Sequence, residues 1–322
     1  MADIDIFNGD ADGICALVQL RNAEPRDSRL VTGVKRDIQL VAQAGIEAGD
    51  RVTVLDISFD KNRDGVVHAL EVGAEVFYVD HHFAGEIPDD PRLSTKIDTA
   101  PDVCTSLLVN QHLGGAFAAW AVVGAFGDNL DASANGLGTK IGLDAGQLDV
   151  AARLGRCVNY NGYGASLDDL HFTPADLFAA MRPFASPFEF CSAESDTFER
   201  LETGYREDMA RAAEIEPSHV TPHSAVFTLP DAPWARRVSG VYGNDLAKAT
   251  PSRAHAVLTE RPDGTYLVSV RAPLDNKTGA DELCRAFPTG GGRKAAAGIN
   301  ALPAEMLDEF VAKLDQQYGR GR

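Results

Sequence analysis

The sequence predicts an α/β protein: an N-terminal doubly wound parallel sheet, a connecting helix, and a smaller C-terminal α/β domain. Three observations lead there. Short apolar runs alternate with helix-period segments from residue 3 to about 115, the signature of βαβ units. Ala74-Glu75-Val76-Phe77-Tyr78-Val79 is nearly continuous in apolar character, as in a strand covered on both faces. Three such runs end in metal-binding side chains: Ile4-Asp5-Ile6-Phe7 before Asn8-Gly9-Asp10-Ala11-Asp12-Gly13, Arg51-Val52-Thr53-Val54-Leu55 before Asp56, and the third before Asp80-His81-His82. In open α/β sheets the ligand site lies at the carboxyl ends of the strands.

Taken in order, strands are expected at 3–7, 29–34, 51–56, 74–79 and 94–99, and helices at 13–24, 38–48, 64–73 and 102–113. Residues 116–190 read as mostly helical. The longest apolar run, Leu113 to Gly127, has 15 residues. That falls short of the ~20 needed to span a bilayer, so it is expected to be a buried helix. Leu201 to Ala213 reads as an exposed connecting helix that stops before Glu216-Pro217, and Pro217 to Pro222 as a linker. The expected division is 1–190, 191–222 and 223–322. In the last part Ala225 to Leu229 is a strand. Ala254 to Glu260 and Tyr266 to Arg271 form a hairpin around Arg261-Pro262-Asp263-Gly264-Thr265. Ala280 to Phe287 is a helix, the glycine-rich stretch Gly290 to Gly298 follows, and a final helix starts at Pro303.

Composition limits the function classes. A chain of 322 residues is too long for one ordinary core and predicts two domains. Its net charge of −17 argues against wrapping long duplexes, whose binding surfaces are basic. A short phosphorylated ligand held by metal and a few local cations is compatible with it. The five cysteines (15, 104, 157, 191 and 284) are widely spaced and form no C-x-x-C pair, which points to a reducing cytoplasm. The acidic start, Met1-Ala2-Asp3-Ile4-Asp5, lacks the positive region of a signal peptide, and no membrane partner is expected.

Each candidate side chain also has a plain structural reading. Asp10 and Asp12 flank one small residue between a strand and a helix, where Asp12 alone could simply cap the helix from Gly13. Asp56 could be an ordinary first loop residue. Asp80-His81-His82 is more specific, because burying an acid with two imidazoles is costly unless they are paired or bind metal. Asp128 ends the most apolar helix, where an acid opposes the helix dipole and calls for a cationic partner.

These residues together resemble the DHH phosphoesterases, the superfamily of RecJ-like and oligoribonuclease-like enzymes, named for the triplet that stands here as Asp80-His81-His82. The likeness spans essentially the whole chain: Asp10-x-Asp12, Asp56, the triplet, Asp102-Val103-Cys104-Thr105-Ser106, and Asp128 within Gly124-Ala125-Phe126-Gly127-Asp128. The C-terminal part resembles the first type of DHH-associated domain through Gly290-Gly291-Gly292-Arg293-Lys294-Ala295-Ala296-Ala297-Gly298. The resemblance implies a cleft between two domains and two Mn²⁺ ions bridged by Asp56. Asp10 and Asp56 would hold one ion; Asp12, Asp56, His81 and Asp128 would hold the other. Asp80 would orient His81, and His82 would face the substrate phosphate. Oxygen-rich ligation with one imidazole suits Mn²⁺ better than Zn²⁺, and Mg²⁺ stays open. Two departures stand out. The histidine usual four residues before Asp10 is Ile6, which weakens the first metal, and Arg293 replaces the histidine usual after the glycine run.

The expected activity is that of a Mn²⁺-dependent phosphodiesterase, exonuclease-like, on short single strands or dinucleotides. Arg271, Gly290, Gly291, Gly292 and Arg293 would grip the substrate, while Lys294 and Arg236-Arg237 read as surface residues. Alternatives are a phosphatase of polyphosphate or nucleoside bisphosphate, and a non-catalytic nucleotide-binding protein with a degraded metal site. Homodimerisation stays open.

Overall fold

Strands Asp3–Phe7 (β1), Arg29–Val31 (β2), Arg51–Leu55 (β3), Glu75–Asp80 (β4) and Leu93–Ile97 (β5) form one sheet of order β2-β1-β3-β4-β5, with every pairing parallel. The computed structural model describes residues 1–319. Side chains alternate between two covered faces. Ile4, Ile6, Val52, Val54, Val76 and Tyr78 share one apolar cluster with Val66, Ala69 and Leu70. Those last three belong to helix Phe59–Val72 (α2), which follows helix Ala11–Ala23 (α1) in the chain. The other face carries a polar contact. Arg21 of α1 donates to the two Asp5 oxygens at 2.7 and 2.6 Å and to Thr53 Oγ1 at 2.9 Å. The expected doubly wound sheet is therefore present.

The expected helix over 38–48 is absent except for a 3₁₀ turn at Val41–Gln43. The Asn62 side chain takes the Ile38 carbonyl at 2.6 Å and the Val41 N–H at 3.2 Å, and Gly45 and Gly49 adopt positive φ. After β5 the chain is helical: Thr105–His112 (α3), Ala118–Gly127 (α4), Asp131–Lys140 (α5), Ala145–Asn161 (α6), Pro174–Met181 (α7) and Pro187–Ala193 (α8). The long apolar run becomes helical only at Ala118, because Gly114 and Gly115 turn the chain with φ of 62° and 88°. Helix α4 then packs directly on the start of α1: a Cβ on Gly127 would stand 2.3 Å from that of Ala11.

The chain divides into the units Met1–Gly204 and Tyr205–Arg322, and the division falls inside helix Ser195–Ala213 (α9). This helix starts before the expected Leu201, and both Leu201 and Ala212 are fully buried rather than exposed. The stretch read as a linker contains strand His219–Val220 (β6). It joins Ser224–Leu229 (β7), Ala254–Glu260 (β8), Thr265–Arg271 (β9), Gly290–Gly292 (β10) and Ala296–Pro303 (β11) in a sheet of order β10-β11-β9-β8-β7-β6. Only β7 and β8 pair in parallel, which requires a crossover. Helix Pro233–Ala249 (α10) supplies it, and nothing in the sequence pattern had marked that helix. Leu283, Phe287, Phe310 and Leu314 cover Val226, Leu258, Val268 and Ile299. Leu283 lies on Ala280–Arg285 (α11), and Phe310 and Leu314 on Leu307–Gly319 (α12). The final helix starts at Leu307, after a 3₁₀ turn at Ala304–Met306, rather than at Pro303. Among the described residues, no helix is long and apolar enough to cross a membrane.

Candidate metal centre

Because the first sheet is parallel, β1, β3 and β4 all end at one edge. That edge gathers Asp10 and Asp12 after β1, Asp56 after β3, and Asp80, the last residue of β4, with His81 and His82 following it. Asp128 joins them from the end of α4. Burial and the charges of Asp12, Asp10, Asp128 and Asp80 push the Asp56 carboxyl well above the usual carboxylate range.

Local hydrogen bonds fix each group. Asp10, not Asp12, caps α1: its Oδ1 accepts the N–H groups of Asp12 at 3.0 Å and Gly13 at 3.1 Å. Asp12 instead accepts the N–H of Thr105 on Oδ2 and of Ser106 on Oδ1, each at 2.7 Å. The start of α3 thus holds an anion where backbone donors and the helix dipole favour one. Asp56 sits at φ 60°, a left-handed conformation uncommon outside glycine, and accepts the Thr105 hydroxyl at 3.1 Å. Backbone of this kind clusters at functional sites. His81 contacts the Val103 carbonyl through Nδ1 at 3.0 Å. With the proton on Nδ1, its Nε2 lone pair faces Asp56 at 3.4 Å and Asp128 at 3.9 Å.

Asp80 differs from the role the resemblance implied. It is fully buried and contacts His82, not His81, with 2.7 Å between Oδ1 and Nδ1, while its Oδ2 accepts the Phe59 N–H at 3.3 Å. Val103 orients His81, and Asp80 orients His82. Burial disfavours a charged His82, but the hydrogen bond and charge of Asp80 outweigh it and raise the pKa above the usual histidine value. Burial and the Asp12 charge push Asp128 up to about 6, with Lys35 partly offsetting them.

Lys35 is the site residue that the sequence pattern did not reveal. It follows β2, and its Nζ donates to Asp10 Oδ2 at 2.5 Å and to Asn159 Oδ1 at 2.7 Å. Burial alone would lower its pKa, but the Asp10 charge beside it raises it well above the usual lysine value. Burial would likewise raise Asp10, yet the Lys35 charge and hydrogen bond keep that carboxyl below the ordinary range. The only advance signal was position, since Lys35 leaves the sheet at the same edge as the acids.

One ligand atom from each of Asp56, His81 and His82 lies within 4.8 Å of the others. A dense group of carboxylates facing the Nε2 of His81 fits a hard or borderline divalent cation such as Mn²⁺. Cys15 and Cys104 lie close by, but burial, with the Asp12 charge adding to it, pushes both thiols well up. They stay protonated and do not compete as ligands.

No protein-family sequence model matches the chain, and no curated relative matches it. Solved structures do. The exonuclease RecJ bound to manganese aligns with all of this chain and 91% of its own, at TM-score 0.67 and 19% identity. The chain has the fold of RecJ and of a solved DHH domain. RecJ from Thermus thermophilus in complex with Mn²⁺ matches this DHH-fold chain equally, at TM-score 0.67 and 19% identity, although the alignment covers 52% of the Thermus chain. A pGpG-specific phosphodiesterase from Vibrio cholerae aligns over 100% of both chains at TM-score 0.58 and 16% identity.

The residues expected to grip substrate lie in the second unit. The Arg271 side chain is tied down: Nε donates to Asn244 Oδ1 at 2.6 Å, Nη1 to Ser269 Oγ at 2.9 Å, and Nη2 to the Gly240 carbonyl at 3.2 Å. Arg237, read as a surface residue, is buried in an ion pair with Asp208 at 2.7 Å. The glycine run is not a loose loop but one strand of a hairpin, with Gly290, Gly291 and Gly292 opposite Ile299, Gly298 and Ala297. A Cβ on Gly290 would stand 1.8 Å from the Cys284 carbonyl oxygen, and Gly292 takes φ 138°. Packing alone explains those two glycines; Gly291 faces open space. Arg293 stands exposed at the hairpin turn, where its backbone N–H donates to the Ala296 carbonyl at 2.9 Å.

Proposed function

We propose that the chain is a metal-dependent phosphoesterase that cleaves phosphodiester bonds of short single strands or dinucleotides. The observation that carries this reading is the meeting of Asp56, His81 and His82, with ligand atoms within 4.8 Å of one another, at the carboxyl edge of the sheet, where Asp128 lies 3.9 Å from His81 and Asp12 shares Thr105 with Asp56. A divalent ion there, Mn²⁺ in first place, supplies Lewis acidity toward a phosphate oxygen and a water acidic enough to attack near neutral pH. Val103 keeps the His81 Nε2 available as a ligand. The start of α3 fixes the angle at which Asp12 presents its remaining lone pairs. Asp80 holds His82 with its outer ring nitrogen directed away from the bond, as a protonated donor toward the substrate phosphate. Exposed Arg293 is suited to a second phosphate contact, with bidentate geometry.

Two features support short substrates. The net charge of −17 disfavours a long anionic strand, and the neighbours of like fold are named as an exonuclease and a pGpG-specific phosphodiesterase. The test is to incubate pure protein with Mn²⁺, Mg²⁺ or chelator and a panel of dinucleotides, single-stranded oligonucleotides, nucleoside bisphosphate and polyphosphate. Mn²⁺-dependent release of mononucleotides from the first two is expected. Turnover restricted to polyphosphate or bisphosphate would replace the substrate class, and no metal-dependent turnover on any member would leave a binding protein.

A further inference from the structure

We propose that the ammonium group of Lys35 takes the place of one of two metal ions, so that this chain holds a single divalent cation, at Asp12, Asp56, His81 and Asp128. The inference rests on the reading of the site as a metallophosphoesterase and concerns how the site is filled.

Both Asp10 oxygens are engaged, and one of them, unlike either oxygen of Asp12, is engaged by a cation. Its Oδ1 serves the two amides that begin α1, at 3.0 and 3.1 Å, and its Oδ2 receives the Lys35 ammonium at 2.5 Å. A cation on the same carboxylate would stand against a fixed positive charge at close range. Position 6 offers no ligand either. Ile6 has no exposed surface and lies in the apolar cluster with Val54 and Tyr78.

Lys35 is placed there by several contacts. Its backbone N–H donates to the Gly162 carbonyl at 2.8 Å, which pins the loop to the end of α6. Asn159, one turn back on α6, accepts a second ammonium hydrogen at 2.7 Å. The Tyr163 ring lies 5.4 Å from Nζ, within the range of a cation–π contact. With only 21% of the side chain exposed, this is not a solvated surface lysine that happens to reach an acid. Of the remaining acids, Asp80 is paired with His82 at 2.7 Å, and no lysine or arginine bridges Asp12, Asp56 or Asp128 among the described residues. Asp56 and Asp128 both face His81 Nε2, at 3.4 and 3.9 Å, and the lysine sits on the Asp10 side of the cluster. The charges of Asp10 and Asp80 are thus compensated from within the chain, and the rest is left for one divalent ion.

The test counts ions rather than turnover. Metal-free protein is dialysed against Mn²⁺, bound manganese per chain is measured by elemental analysis, and the electron paramagnetic resonance spectrum is recorded. One Mn²⁺ per chain at saturation with the six-line signal of an isolated ion is expected. Lys35→Arg should keep that count. Lys35→Met and Asn159→Ala should admit a second, weaker Mn²⁺ and give an exchange-coupled spectrum. Two coupled ions in the natural protein would overturn the inference and leave the proposed function standing. So would a folded Lys35→Met protein with unchanged count and affinity. If the natural protein binds no Mn²⁺ at all, the metallophosphoesterase reading fails, and this inference with it. The count on the natural protein decides even if a variant does not fold.

Discussion

The first sheet holds two groups of buried acids, and they are treated in opposite ways. Asp5, in the middle of β1, is fully satisfied: Arg21 grips both its oxygens, Ser28 donates to it, and Arg21 also reaches Thr53. A few residues on, at the carboxyl edge, five acids gather, Asp10, Asp12, Asp56, Asp80 and Asp128, with only Lys35 on Asp10 and His82 on Asp80 to offset them among the described residues. The first group is closed and has nothing left to bind. The second is left short of positive charge, and that deficit is what makes an edge of the sheet a site. Buried charge thus indicates function only where its compensation is incomplete.

The largest effect should come from Asp56→Asn. Turnover should fall by orders of magnitude because a ligand shared by the whole cluster is lost. In chelator, however, thermal unfolding should occur at a higher temperature than in the natural protein, because one repelling charge is gone. A metal-free variant that melts lower would show that the cluster is not strained by its own charge. At the closed site the sign reverses. Arg21→Met should strand a buried carboxylate and cost about 3–5 kcal/mol in denaturant unfolding, while manganese binding to the folded fraction stays unchanged. A loss of metal binding would mean that the two regions are coupled.

Two further charges test the extremes of the comparison. Arg293 is exposed, and no hydrogen bond of its side chain is seen among the described residues. Arg293→Ala should raise KM and lower kcat/KM by roughly tenfold to a hundredfold, the worth of a charged hydrogen bond of about 1.5–3 kcal/mol. Arg293→Lys should recover only part of it. An unchanged KM on every substrate would remove this hairpin from phosphate binding. His255 is buried with no hydrogen-bond partner for Nδ1 among the described residues, and burial, with the Arg253 charge adding to it, lowers its pKa to about 4. The unfolded chain, with a histidine pKa of about 6.5, binds more protons between those values. Stability from this group is therefore complete above pH 6.5 and is lost as pH falls toward 4, at up to about 1.4 kcal/mol per unit. His255→Leu should flatten that slope in urea unfolding at pH 4.5, 5.5 and 6.5; an unaltered slope would assign it to other groups.

What the sequence made legible follows from range. Strands β1, β3 and β4 announce themselves by local apolar runs, and parallel pairing then requires their acids and histidines to meet at one edge. Lys35 could not be found this way. Its partner Asn159 lies on α6, 124 positions away, and a single lysine after a short edge strand carries no periodic signal. The role of Asp80 was misplaced for a related reason: which of two adjacent imidazoles meets a carboxylate depends on the backbone after the strand, and Val103 had already taken His81. Helix α10 escaped because Gly240 and Gly243 interrupt a run of otherwise mixed residues, and it forms because a parallel pair needs a crossover. The expected helix at 38–48 failed because one side chain, Asn62, took the backbone groups it would have used.

Asp12 has a consequence for anyone wanting to capture a substrate on an inactive form of the protein. Its two oxygens are also the acceptors for the first amides of α3, so replacing it would unseat a helix as well as disarm the chemistry. An asparagine would turn one acceptor into a donor aimed at another donor. A trap built on Asp12→Asn would therefore report a distorted pocket, and empty crystals or weak binding would say little about the ligand. Asp128 takes no part in capping another helix, and its backbone N–H is already satisfied by the Gly124 carbonyl at 2.9 Å. For soaking or pull-down, Asp128→Asn is the substitution that should silence the protein while leaving its shape in place.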